Sequence, residues 1–280
     1  MGRGLTIAAI ATATAFIGVG AARAAPSLEI RGAALRVTVI PEARSDIVVT
    51  LVRANPGLPL RIRRLADHVF VTGDVSHRVH GCDGPPGQKR VAIWGRAPVA
   101  WASLPQLIVH APLEVKLLAG DAVFGSIDRA ATLDLTNQGC GDWTIADVQG
   151  RLRVNQSGSG GIRVGASGAA DLSVIGSGGI TAGAVRGSLT AVSSGSGDIV
   201  VASVSGPFDA RVGGSGGVRA DAGVAAPMSA SIAGSGAVRF AGLARGLSVS
   251  IAGSGDVVVR QVAGPVRQQV FGRGKVRIGP

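Results

Sequence analysis

A five-residue phrase, Gly-Ser-Gly-(Gly/Asp/Ala)-(Ile/Val), opens at Gly158, Gly176, Gly195, Gly214, Gly234 and Gly253. Degenerate copies begin at Gly139 and Gly272, so the eight start points are separated by 19, 18, 19, 19, 20, 19 and 19 residues. A fixed step of about 20 residues is the mark of a solenoid, in which each repeat buries its apolar face only by stacking on its neighbours. Apolar residues fall at constant offsets from these glycines. Ile162/Val164, Ile199/Val201, Val238/Phe240 and Val257/Val259 follow the phrase, and Leu152/Val154, Leu189/Ala191, Phe208/Ala210, Met228/Ala230 and Leu247/Val249 precede the next one. Both stretches alternate with period two and are punctuated by glycine, which indicates short half-buried strands and argues against helical repeats.

Two strands and two turn regions per step predict one coil of a right-handed, single-stranded parallel β-helix, with eight coils of about 19 residues. The second turn is expected near Gly150, Gly187, Gly206, Gly246 and Gly264. Stacked at the usual strand spacing, eight coils make a rod about 40 Å long. Glycine suits such corners because a tight bend needs positive φ or a close approach of backbone to the adjacent coil. The composition agrees, with 44 glycines, 3% aromatic residues and no tyrosine.

The iterated phrase, following a β-rich N-terminal stretch, resembles the bacterial family labelled putative autotransporter adhesin, head GIN domain. The resemblance covers residues 105–280 well and 28–104 loosely. It implies an exported β-helical protein with an adhesin or cell-surface role, and it brings no catalytic or ligand residues with it.

The N-terminus itself predicts export. Arg3 precedes an apolar run from Leu5 to about Ala22, and Ala22-Arg23-Ala24 gives an A-x-A cleavage pattern, so residues 1–24 are expected to be a signal peptide. No second apolar stretch of that length follows, and no transmembrane span is expected after cleavage. No ten-residue alternating barrel pattern follows the repeats before Pro280, so the chain is expected to be passenger-like, with periplasm and cell exterior both open as its address. Residues 25–118 are expected to form a β-rich N-terminal cap, and residues 119–280 the parallel β-helix.

Cys82 and Cys140 are the two cysteines, and in an exported chain a bond between them is the expectation. It would tie the first repeat to the cap across 58 residues, worth about 4 kcal/mol by loop-closure entropy. His77-x-x-His80-x-Cys82, followed by Asp83, is a weak metal candidate, because the disulfide would remove the thiolate and no fourth ligand has the usual spacing. Asp142, Asp198 and Asp256 sit in the fourth slot of the first, fourth and seventh repeats, about 14 Å apart in a stacked rod. They cannot share a calcium ion, whose ligands stand at about 2.3 to 2.6 Å, so hydrogen bonding at the turn is their expected role. No nucleotide loop of the G-x-x-x-x-G-K-(S/T) type is present, and no cofactor is expected.

Seventeen acidic residues offer no pair at one offset on neighbouring coils, so a non-enzymatic scaffold is the leading expectation. A polysaccharide-active β-helix enzyme and a metal-binding envelope protein stand as alternatives. Charge supplies the remaining lead. The formal net charge is +11, or +9 without Arg3 and Arg23. Arg163, Arg219, Arg239 and Arg277 all lie five residues after an opening glycine, in one predicted outward column interrupted by Thr144, Thr181, Val200 and Val258. Guanidinium forks suit phosphate and carboxylate. The expected partners are therefore anionic envelope polymers or surface glycans, alongside an unspecified protein partner; the sequence does not set an oligomeric state.

Overall fold

The computed structural model describes residues 25–85 and 87–279; residues 1–24, expected to be a signal peptide, lie outside the described residues. Their regular structure is strand, apart from one short 3-10 turn at Trp101–Ser103. The expected parallel β-helix is present. Strands Glu114–Ala119, Thr132–Asn137, Val148–Gln156, Ser167–Val174 and Leu189–Ser193 stack in parallel on one sheet, which continues through the C-terminal part of Ile199–Val212 and through Gly223–Ile232 and Leu247–Gly253 to Val266–Gly272. A second sheet stacks Ala122–Ile127, Trp143–Ile145, Ile162–Val164 and Ile180–Val185 and ends with Val276–Ile278. From residue 114 onward this makes nine consecutive coils.

Two features depart from the sequence expectation. The rod begins upstream of residue 119: Ser27–Arg31 lies parallel on Glu114–Ala119, and Ala34–Glu42 lies parallel on Ala122–Ile127, so the first coil comes from inside the predicted cap. The second corner is also not a simple turn. Val148, Ser167, Val185, Val204 and Gly223 pair in succession, with Ala130 bridging to Val148, and together they form a third short ladder.

Inside the rod, identical slots form continuous columns. Leu28, Leu117, Leu135, Val154 and Leu172 stack in one, which continues through the small residues Ala191, Ala210 and Ala230. Where this column narrows, the neighbouring slots widen to Phe208 and Phe240, whose rings meet edge to face at 5.7 Å. Volume is thus conserved through a close-packed interior.

At the corners the glycines are required by approach more than by dihedral. A Cβ on Gly158 or Gly160 would stand well inside contact distance of the Gly139 or Gly141 carbonyl of the preceding coil. The buried side chains Asn137, Gln156 and Ser193 each donate to the carbonyl four residues ahead, that of Gly141, Gly160 and Gly197, at 3.1, 2.9 and 2.8 Å. Asn137 also donates to Gln156 across the coils at 2.8 Å. These polar side chains satisfy corner carbonyls that the ladder does not pair, which is what their burial requires.

The N-terminal end is closed by reversed strands. His68–Thr72 and Gln106–Pro112 lie parallel on the first coil, and Arg61–Leu65 and Val48–Arg53 then pair with them antiparallel. These outermost strands carry Arg53, Arg61, Arg63 and Arg64, charges of the kind that discourage edge-to-edge pairing. A small three-stranded sheet, Val79–Asp83, Arg90–Ile93 and Val99–Ala100, flanks the rod. It packs on a second apolar cluster that includes Val91, Ile93, Leu104 and Phe124.

Candidate binding surface

The Cys82–Cys140 disulfide is formed, joining this flanking sheet to the corner of the first glycine phrase. Lys89 reinforces the junction by pairing with Asp142 at 2.9 Å. The thiolate that a metal site at His77, His80 and Cys82 would need is therefore consumed. His77 has a φ of 58°, and the His80 ring stacks 4.4 Å from Trp94. Among the described residues, no group of three or more His, Cys, Asp or Glu stands close enough to hold a metal ion. His68 lies 2.5 Å from the Ser27 hydroxyl, and His110 lies 3.2 Å from Glu42.

The phrase aspartates bridge coils. Asp142, Asp198 and Asp256 accept hydrogen bonds from the backbone N–H of Gly161, Gly217 and Lys275, each 19 residues ahead, at 2.9, 2.7 and 3.0 Å. They replace ladder bonds lost at the corner, so the expected turn role becomes an inter-coil one.

The outward faces differ in charge balance. On the first sheet Lys116, Asp134, Arg153 and Asp171 occupy successive register positions, so charges alternate up the column. Arg153 lies 3.8 Å from Asp134 and 3.9 Å from Asp171, and Arg151 lies 2.5 Å from Asp171. This face neutralises itself.

The second sheet holds the arginine column. Strand register places Thr144, Arg163, Thr181, Val200, Arg219, Arg239, Val258 and Arg277 one above another. Within the column the structure divides the arginines into groups. Arg219 and Arg239 are direct neighbours and line a depression of about 300 Å³ together with Arg260, with Ala220, Phe240 and Val258 among its other walls. Arg163 stands three strands below Arg219, about 14 Å away along the rod. Arg277 closes the column on the last coil. Arg219 pairs with Asp221, and Arg277 lies 3.4 Å from Asp256. Arg163, Arg239 and Arg260 have no carboxylate at ion-pair distance among the described residues. The exposed pairs contribute little to stability, about 0 to 1 kcal/mol each; Asp221 and Asp256 offset the charge of Arg219 and Arg277, while Arg163, Arg239 and Arg260 are the guanidinium groups left for a ligand.

Arg163 instead lines a separate groove of about 320 Å³ where the flanking sheet meets the rod. Arg36 lines it too, stacked 4.2 Å over the Trp101 ring and donating to Gln106 Oε1 at 3.1 Å. Burial, and then the neighbouring Arg53 charge, lower the Arg36 pKa from its ordinary value. Sequence reasoning missed Arg36 and the groove, because the strand that carries Arg36 precedes the repeats and Trp101 reaches it only through tertiary packing.

Fold and surface together define a capped, disulfide-tied parallel β-solenoid with an arginine column on one sheet. A protein of this architecture described as a "putative adhesin", from Parabacteroides distasonis, has a crystal structure that matches with a TM-score of 0.55 over 91% of this chain and 93% of that one, at 14% identity. A second crystal structure described as a "putative adhesin", from Bacteroides fragilis, aligns over 91% of both chains at 13% identity with a TM-score of 0.42. The first likeness establishes a shared fold. No family model matches the chain, and no curated protein does.

Proposed function

We propose that this chain is an exported, non-enzymatic β-solenoid that serves as a binding or adhesion scaffold at the bacterial envelope and holds anionic polymers on its arginine face. The A-x-A pattern and the disulfide support export. The adhesin description of the fold neighbour favours a scaffold.

One observation carries the polymer reading. Arg219 and Arg239 stand side by side in register, with Arg260 at the same depression, and no carboxylate lines it. Guanidinium groups on adjacent strands, about 4.8 Å apart on an open depression, can engage neighbouring anionic groups of an acidic polymer, and this does not need a single enclosed pocket. The adhesin description of the fold neighbour also favours the non-enzymatic reading, and the one carboxylate lining the neighbouring groove, Asp142, is held by Lys89.

Retention of the chain lacking residues 1–24 on heparin and on phosphorylated lipopolysaccharide at graded salt tests this. The chain is expected to elute above physiological ionic strength. An R219Q/R239Q/R260Q variant is expected to elute earlier, because counterion release scales with the number of charges engaged. Elution of the parent below physiological salt sinks the proposal.

A further inference from the structure

The groove at the rod junction has a composition that the arginine column alone does not explain. One wall is an in-register ladder of hydroxyls, Thr38, Ser126 and Thr144, that ends in Arg163. Beside this ladder Trp101 lies under the guanidinium of Arg36, which projects from the same strand as Thr38. The Arg36 Nε is buried without a partner, and Asp142, the carboxylate of this lining, is already engaged by Lys89 at 2.9 Å and by the Gly161 N–H at 2.9 Å. Two guanidinium groups therefore face about 320 Å³ of space with no free counter-charge in the walls. That volume is at the small end of ligand sites, which run from about 300 to 1,000 Å³.

We propose that this groove is a discrete site for one or two residues of an acidic saccharide. Arg36 and Arg163 take the anionic group, and the Thr38, Ser126 and Thr144 hydroxyls with the Gln106 amide take the sugar hydroxyls. Guanidinium supplies only donors, so it selects the anion; serine and threonine hydroxyls both donate and accept, as sugar hydroxyls do. Trp101 is a positioning residue, since it holds the Arg36 fork flat and leaves less rotamer freedom to lose on binding. The flanking wall is held by the disulfide and by the Lys89–Asp142 pair, so the site is preformed. The anionic group is a uronate carboxylate or a sugar phosphate ester; the two are separated by experiment.

This inference rests on the reading of the chain as a binding scaffold, and it is tested apart from the polymer face. Calorimetric titration of the disulfide-intact chain would use a hexuronate trisaccharide, glucose 6-phosphate, a neutral trisaccharide and inorganic phosphate. Saturable binding of one acidic sugar is expected, with the neutral trisaccharide weaker by at least about tenfold, the size of one charge-assisted hydrogen bond. R163Q, at an exposed position that leaves the core untouched, is expected to weaken that binding about tenfold, and R36Q at least as much. R219Q/R239Q should leave it unchanged while lowering heparin retention. Equal binding of the neutral trisaccharide overturns the proposal, as do an unaffected R163Q variant and inorganic phosphate binding as tightly as either acidic sugar. Intact heparin retention beside any of those outcomes would remove the groove and leave the polymer face standing.

Discussion

At the residue scale, the repeated phrase carries two kinds of glycine that the sequence does not distinguish. A Cβ on Gly160 would run into the Gly141 carbonyl of the coil below, and the stack cannot open there without parting the coils. Gly161, the next residue, has only Asp142 Oδ1 within 4 Å, at 3.6 Å. Gly160→Ala is therefore expected to cost about 1 to 3 kcal/mol by overpacking, while Gly161→Ala should be close to neutral. Urea unfolding of the two variants checks this, and equal losses would mean that the corner is set by backbone dihedral and not by coil approach. The interior polar side chains follow the same logic in reverse. Asn137, Gln156 and Ser193 occupy a slot that is Val174, Val212, Ile232 or Ile251 in other coils. A polar residue in an otherwise apolar column was a visible sign of a buried hydrogen bond, but only once the column was aligned to the carbonyl it serves.

At the element scale, strands inside the repeats were legible because each is bracketed by its own glycines and alternates with period two. The first coil was not. Ser27–Arg31 and Ala34–Glu42 alternate in the same way, yet the coil they stack on lies more than 80 residues further on and no glycine phrase marks them. The third ladder was hidden too, because Val148, Ser167, Val185 and Val204 recur at the repeat step but are single slots with no period-two alternation of their own to mark a strand. The arginine column was read correctly as a column from spacing alone, whereas its division between a depression and a groove depended on where Asp221, Arg260 and the flanking sheet fall in space. That sheet is held to the rod by Cys82–Cys140 and a modest apolar cluster. A Cys82→Ser/Cys140→Ser variant is expected to lose up to about 4 kcal/mol through the reopened loop. Hydrogen exchange should then speed up first at residues 79–93, with the strands of residues 132–259 still protected. Earlier exchange in the rod than in the flanking sheet would show that the bond stabilises the coils themselves.

At the scale of the whole molecule, the two ends of the described rod are unequal. The N-terminal end is closed by antiparallel strands bearing four arginines, and the disulfide lies close to it. On the last described coil, Val266, Val270 and Ile278 occupy inward slots yet are 42%, 40% and 48% exposed, and Gln268 stands in the column that elsewhere holds Leu, Val or Ala. In a solenoid each coil is stabilised by its own contacts and by the interfaces with its neighbours, and this coil has one such interface where interior coils have two. Its opening free energy should therefore be the lowest in the rod. Amide exchange at low protein concentration is expected to be fastest in Val266–Gly272 and Val276–Ile278, slower in Leu247–Gly253 and Asp256–Val262, and slowest around Thr132–Gln156, where buried amides, Trp143 and the nearby disulfide coincide. The gradient should persist on dilution if the end is open in solution. Protection of 266–278 that rises with protein concentration would instead show that a second copy covers the open edge, and uniform protection at every concentration would contradict the nearest-neighbour account of the rod.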